Sequence, residues 1–471
     1  MRHLLRRSFG PLAVVFASLA AAEPAGLLPP AADLQLGRTY LKELVEINTT
    51  HEHGSSAAAE LIGRHLREAG YTGDDVVVLA PAAHPSKGNV VVRLHGRSRA
   101  PAVLFLGHLD VVEAKAEDWS VDPFKLTEKD GYFYGRGTID MKDGDAALLE
   151  ALVRLRREGF VPERDVIAAF TADEEAGGDA NGPEFLLREH RALVEAGVVV
   201  NLDGGGGSFK DGRRVLLEIG TSEKTYVTFT LETTAPGGHG SLPGPDNPIY
   251  RLAAGLGRIE ALKFPVMLTA TTRASLGQFA VLDPGPDSPD MVAVAHVPPD
   301  LVAAERLSHS VYLNAQLRTT CVATLISGGH AENALPQRAR ATVQCRMMPG
   351  DTAEHVQALL VAALNEPRIS VTLDAPPIVS PESPPTADIL DRLGKVVHSM
   401  WPGVPIVPTM ATGFSDDRQT RNAGMPSYDM SGIWMEMGEN RAHGRDERVG
   451  VRAFDESVEY TYRLVKAMAR R

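Results

Sequence analysis

Ala102-Val103-Leu104-Phe105-Leu106-Gly107-His108-Leu109-Asp110 is the stretch that decides the fold. Five apolar residues run without a polar break into a glycine and two side chains with ligand chemistry. Successive strand side chains point to opposite faces, so an unbroken apolar run this short predicts a strand buried on both sides. Residues 166–170 and 198–202 repeat the pattern, and 89–94 reads as a further strand. A helix is expected over 145–157, between two of these strands, and another over 55–69, stopping at Gly70. Strands alternating with helices predict an α/β fold: a mixed sheet with helices on both faces. In such sheets ligands gather beyond the carboxyl ends of the strands. The period of two also sets His108 and Asp110 on one side of the chain. There an aspartate can accept the second ring N–H of a metal-bound histidine.

Outward from this core the pattern changes after Leu217. Val227, Phe229 and Leu231 alternate with Thr228, Thr230 and Glu232, as in a sheet with one face open to water. Asn247-Pro248 opens a helix running to about Leu262. A strand over 339–346, a helix from Thr352 capped by Asp351 and Glu354, and a strand over 369–373 complete the block. Prolines between 376 and 385 mark a return linker, followed by helices over 386–400 and 454–470. The expected organisation is an export segment (1–22), a catalytic domain in two parts (23–216 and 379–471) and an inserted smaller α+β lid/dimerisation domain (217–378). Residues 23–36 read as a Pro/Ala-rich linker, and 265–308 carry no pattern that places them.

Arg2, Arg6 and Arg7 precede a short apolar run that ends in Ala20-Ala21-Ala22. That is the pattern of a signal peptide, too short to span a bilayer, and it predicts a periplasmic or secreted protein. No cysteine near the cleavage site offers a lipid anchor. Cys321 and Cys345, the two cysteines of the chain, fall in predicted strands. They form either a disulfide, if those strands are neighbours, or two buried thiols. With 471 residues, 44% of them hydrophobic and 23% charged, the chain reads as an ordinary globular protein of two domains. Its formal net charge of −12 argues against nucleic acid or an anionic membrane as partner, without forbidding a locally basic pocket.

Four more motifs carry candidate chemistry. Gly135-Arg136-Gly137-Thr138-Ile139-Asp140-Met141-Lys142 puts a carboxylate just before a helix. Glu174 and Glu175 follow a buried strand, Asp203 precedes four glycines at another strand end, and His443 lies in a late polar loop. Taken singly, each has a plain structural reading: a helix cap, an acidic turn, a glycine turn, a solvated histidine. Together they supply two imidazoles and several carboxylates with no thiolate. That hard-to-borderline donor set suits two divalent ions about 3.5–4 Å apart, zinc first, with cobalt or manganese as alternatives.

The order His-x-Asp, Gly-Arg-Gly-x-x-Asp-x-Lys, Glu-Glu, Asp and a late His resembles the M20 family of metallopeptidases, from about Leu41 to Lys466. The resemblance implies that Asp140 bridges two ions, with His108 and Asp203 at one and Glu175 and His443 at the other. It implies Glu174 as general base and Asp110 as orienting partner of His108. Gly237-Gly238-His239-Gly240-Ser241 resembles the motif whose histidine stabilises the oxyanion, often in the active site of a partner subunit. Gly240 stands where a serine is usual. Asn333, Arg346 and Gly413 match substrate-binding positions, Arg346 as a fork for a carboxylate.

The implied reaction is hydrolysis of an amide or peptide bond in a small substrate with a free carboxylate, a peptide or an N-acyl amino acid. Carboxypeptidase and N-acyl-amino-acid hydrolase lead; dipeptidase and zinc aminopeptidase are alternatives. A non-catalytic binding protein on the same scaffold is disfavoured, because no expected ligand or base is missing. A homodimer is implied by the resemblance alone.

Overall fold

The computed structural model describes residues 26–470 apart from 177 and 179; the expected export segment lies outside them. Val166–Thr171, Val103–His108, Val198–Asn201 and Ser427–Asp429 lie side by side and parallel at the centre of a ten-stranded sheet. Their carboxyl ends therefore share one edge. Asn89–Leu94 and Val76–Leu79 extend the sheet antiparallel on one side. Arg213–Glu223, Gly206–Lys210 and Trp434–Glu436 extend it on the other, with Ile406–Ala411 pairing beside Arg213–Glu223.

Burial on both faces follows the alternation of the opening stretch. Val103 and Phe105 pack with helices Ala31–Val45, Lys142–Arg157 and Val451–Met468, whereas Leu104 and Leu106 pack under Phe185, Leu186 and Val194. Each such side chain contributes roughly 1.5–3 kcal/mol on leaving water.

Three expectations about helix starts need correction. The first helix starts at Ala31, inside the stretch read as a linker: Pro30 ends the extended segment, and Leu41, Leu44 and Val45 reach the core. Composition had masked that apolar face. Lys142–Arg157 begins three residues before the expected start, directly after Asp140-Met141. The helix Ala353–Leu364 is capped by the Thr352 hydroxyl accepting from His355 N, not by Asp351 and Glu354.

The chain changes sheet at Lys224 rather than at 217. Arg213–Glu223 stays in the large sheet to its end, and Thr225–Thr234 enters a second one. That sheet runs Thr320–Gly328, Arg338–Met347, Thr225–Thr234, Ser370–Leu373, all antiparallel. Val227, Phe229 and Leu231 meet Leu252 and Ile259 of helix Pro248–Glu260, and Val356 and Leu360 of helix Ala353–Leu364. Cys321 lies directly opposite Cys345 in neighbouring strands, and the two form a disulfide. The unplaced stretch holds short helices, Ala270–Leu282, Ser288–Ala295 and Leu301–Leu307, which with the following helix Val311–Leu317 surround a small core of their own. Phe279 and Leu282 dock on Val215, Leu216 and Val407 of the large sheet. No helix among the described residues is long and apolar enough to cross a membrane.

Candidate metal centre and active site

His108 ends its strand 2% exposed. Its Nδ1 donates to the Asp110 backbone carbonyl at 3.0 Å, which leaves Nε2 as the outward donor atom. Nε2 lies 3.1 Å from Asp140 Oδ1 and 3.5 Å from Asp203 Oδ1. The other Asp140 oxygen, Oδ2, lies 3.0 Å from His443 Nε2, itself 3.0 Å from Glu175 Oε2. Asp140 thus turns one oxygen to each imidazole, as a carboxylate shared between two cations must.

The Gly-Arg-Gly-x-x-Asp-x-Lys motif shapes this loop. Arg136 Nη1 donates to Glu447 Oε2 at 2.5 Å, and Glu447 Oε1 accepts from Ile139 N at 2.9 Å. Arg136 Nη2 reaches the His443 carbonyl at 3.4 Å, so one buried ion pair brings the late histidine loop to Asp140. Lys142 Nζ donates to the carbonyls of Leu44 and Ile47. At the Asp203 turn, Gly205 adopts φ +78°, a left-handed backbone that glycine takes without steric penalty.

Asp110 acts differently from the expectation. Its carboxylate stands 3.7 Å from His108 Nδ1, too far for a hydrogen bond, and accepts instead from Glu174 N and Glu175 N at 3.0 Å each. The main chain of Asp110 orients the histidine while its side chain fixes the glutamate pair. Asp173, just before them, has φ +62° and is held by Lys87 and His51.

The pocket is dominated by negative charge. Burial would lower His108, but Asp203 and Asp140 override it and hold it well above its usual value. Hydrogen bonds to Asp140 and Glu175 lift His443 to about 10. Burial pushes Glu174 well above the carboxylate range, with His108 pulling the other way. Carboxylates thus crowd both imidazoles, an excess of negative charge that divalent ions would neutralise. Donor atoms of His108, Asp140 and Glu175 lie within 4.8 Å of one another, so the residues present fit divalent ions.

The remaining expected residues form two groups. His239 is exposed and paired with Ala334 in a short antiparallel ladder, which sets it beside Asn333. Ser241, not residue 240, supports the ring: its N and Oγ meet His239 Nδ1 at 3.2 and 2.7 Å. A Cβ on Gly240 would stand 2.8 Å from the Asn333 carbonyl oxygen, which is why no serine fits there. None of the hydrogen bonds of His239 among the described residues reaches the metal-site cluster.

Arg346 sits elsewhere, 4.9 Å from the Tyr226 ring and 5.4 Å from the ring of Phe414, the neighbour of Gly413. Its buried Nη1 has no hydrogen-bond partner, and burial lowers its pKa. The Gly413 loop is anchored toward the metal site by Asp416, which accepts from Asn181 Nδ2 at 2.6 Å and from Thr171 Oγ1 at 3.3 Å. Asp416 and Glu447 also shape the site, by contacts that no sequence motif announces. Asp416 lies three residues after Gly413; Glu447, four residues after His443, has no signal until its partner Arg136 is located in space.

The model of peptidase family M20/M25/M40 matches residues 104–467. The chain belongs to the M20 peptidase family. The human N-fatty-acyl-amino acid synthase/hydrolase PM20D1 is 30% identical over 375 residues, 77% of this chain and 73% of that one. Among solved structures, the M20 family metallo-carboxypeptidase Sso-CP2 from Sulfolobus solfataricus superposes with a TM-score of 0.69 at 16% identity, covering 92% of this chain and 99% of that one. The Bacillus subtilis YXEP protein, described as a dinuclear metal-binding peptidase of the family, gives 0.59 at 12% identity over 93% and 98%. This M20 protein is a metal-dependent peptide or amide hydrolase, and its fold joins a catalytic domain to a lid.

Proposed function

We propose that the enzyme cleaves an amide whose amine side is an amino acid with a free carboxylate, as an N-acyl-amino-acid hydrolase or carboxypeptidase. The observation that carries this reading is Asp140 presenting one oxygen to His108 and the other to His443. His108 and Asp203 would hold one ion, Glu175 and His443 the other, Asp140 both, with zinc as the metal these donors favour. When bound, the ions supply Lewis acidity that acidifies water and polarises the scissile carbonyl.

The chain does the rest. Glu174, buried and raised in pKa, takes the proton of the attacking water and passes it to the leaving nitrogen. Asp110 holds the Glu174 backbone in place for this. Arg346 takes the substrate carboxylate with its free Nη1, and the Gly413 backbone, with open space before it, flanks the substrate. His239 donates to the oxyanion.

The exposure of His239 and its lack of contact with the cluster favour donation from a second copy. The edge strand Thr320–Gly328, paired on one side only among the described residues and with Val322, Leu325 and Ile326 exposed, supports such a dimer. The Cys321–Cys345 disulfide and the N-terminal pattern support export to the periplasm or beyond. The name of the human relative favours an acyl substrate over a dipeptide.

Glu174→Gln tests the mechanism. Metal analysis of this variant should match wild type, while amine release from N-acyl amino acids falls at least about a thousandfold. Retained turnover in the metal-loaded variant overturns the assignment of the base.

A further inference from the structure

Arg346 is not the only unneutralised cation at the mouth of the Gly413 loop. The guanidinium of Arg418, on helix Asp417–Asn422, lies 4.3 Å from the centroid of the Phe414 ring, the ring that Arg346 meets at 5.4 Å. Tyr226 closes the group edge-on to Phe414 at 6.3 Å and lies 4.9 Å from Arg346. Two arginines from different parts of the chain thus share one aromatic ring. Arg346 comes from the lid strand Arg338–Met347 and Arg418 from the helix Asp417–Asn422 that follows the Gly413 loop.

Neither forms an ion pair among the described residues, although Glu223 acts on Arg346 and Asp416 on Arg418 through charge alone. Arg346 Nη1 is buried without a hydrogen bond, and the side-chain hydrogen bond of Arg418 is to neutral Gln419 Oε1, at 3.3 Å. The carboxylates close by are committed elsewhere. Glu223 is held by Arg421, Ser380 and Ser415 N. Asp416 is held by Asn181 and Thr171. The remaining nearby cation, Lys224, points its Nζ at the Arg318 carbonyl, 2.8 Å away, and so faces out of the group. Burial lowers the pKa of Arg346, Tyr226 opposes that shift, and repulsion from the Arg418 guanidinium adds to it, with Glu223 again opposing.

One carboxylate fills the fork of one guanidinium. A second arginine stacked on a shared ring, with free donors, has capacity for a second anionic group. We propose that Arg418 is a specificity-determining residue that takes a side-chain carboxylate, so that the preferred substrates are N-acylated acidic amino acids or peptides ending in one. Arg346 then holds the α-carboxylate and Arg418 the β- or γ-carboxylate, with Phe414 spacing the two. This inference rests on the placing of the amino-acid side of the substrate at Arg346. It names the substrate class that the placement leaves open, and gives the acidic protein a local basic pocket.

The test separates binding from turnover. Calorimetric titration of the Glu174→Gln protein compares N-acyl-glutamate with N-acyl-leucine of the same acyl chain. The glutamate derivative should bind at least tenfold tighter, and adding Arg418→Gln should reduce that preference by at least tenfold, with circular dichroism and metal content unchanged. Arg418→Lys, which keeps the charge, should restore part of the preference. Equal binding of the two ligands, or equal loss for both on Arg418→Gln, overturns the proposal. A binding preference that depends on Arg418, in a wild-type enzyme that hydrolyses neither ligand, upholds the subsite and sinks the proposed hydrolysis instead.

Discussion

Asp110 and Gly240 show how a single position can be assigned the right neighbourhood and the wrong contact. The period of two set Asp110 beside His108, yet its carboxylate is taken by the backbone of Glu174 and Glu175, donors that only the next strand brings within reach. Gly240 looked like a departure from a motif and is instead required by the Asn333 carbonyl. Glu150 offers a residue-scale test away from the metal site. It is buried on helix Lys142–Arg157 with both oxygens unpartnered; burial first, then Asp33, raise its pKa from 4.5 to about 8. A carboxyl with a raised folded-state pKa favours folding while protonated. Its stabilising contribution is full below about pH 4.5 and is lost as pH climbs through 8. Glu150→Gln stays neutral throughout, so its melting temperature relative to wild type should rise between pH 5 and pH 9. A difference that does not change with pH would show that Glu150 is not buried in this state.

At the scale of elements, the parallel strands position the chemistry and the antiparallel lid sheet carries the covalent staple. The Cys321–Cys345 bridge closes a sequence separation of 24 residues, for which loop-closure entropy gives about 3 kcal/mol. Serine at both positions should lower the unfolding midpoint of the lid by several degrees in calorimetry, with bound metal unchanged because no ligand lies in that sheet. An unchanged midpoint would mean that the bridge does not form in the mature protein. The sequence had left disulfide and free thiols equally open. Register decided: the two cysteines are paired residues of adjacent strands.

For the whole molecule, the exposed His239 and the open edge strand make the oligomer part of the catalytic question. Glu174→Gln and His239→Ala should each be inactive alone. Co-expressed, they should recover about a quarter of wild-type activity, because random pairing gives half mixed dimers with one intact composite site each. No recovery, with mixed dimers verified by mass, would place His239 in the active site of its own chain. The helices between Ala270 and Leu317 also belong to this scale. They tie the lid insertion back to the large sheet through Phe279, Leu282 and the Gln316 side chain, which donates to the Met410 carbonyl.

Sequence alone determined what local chemistry can encode. The central strands were legible because a strand buried on both faces must be apolar throughout. The candidate metal cluster of His108, Asp140 and Glu175 was legible because residue types and places near strand ends leave little other use for so many carboxylates and imidazoles. Tertiary structure decided what depends on residues hundreds of positions apart. It fixed the change of sheet at Lys224 and the pairing of Arg136 with Glu447 that carries His443 to Asp140. It also set Arg346 and Arg418 around Phe414. Ion pairs and aromatic contacts of that kind have no periodicity along the chain. They arise only when packing brings the partners together, so the metal-dependent chemistry could be read early, whereas the grouping of Arg346, Arg418 and Phe414 could be read only from the fold.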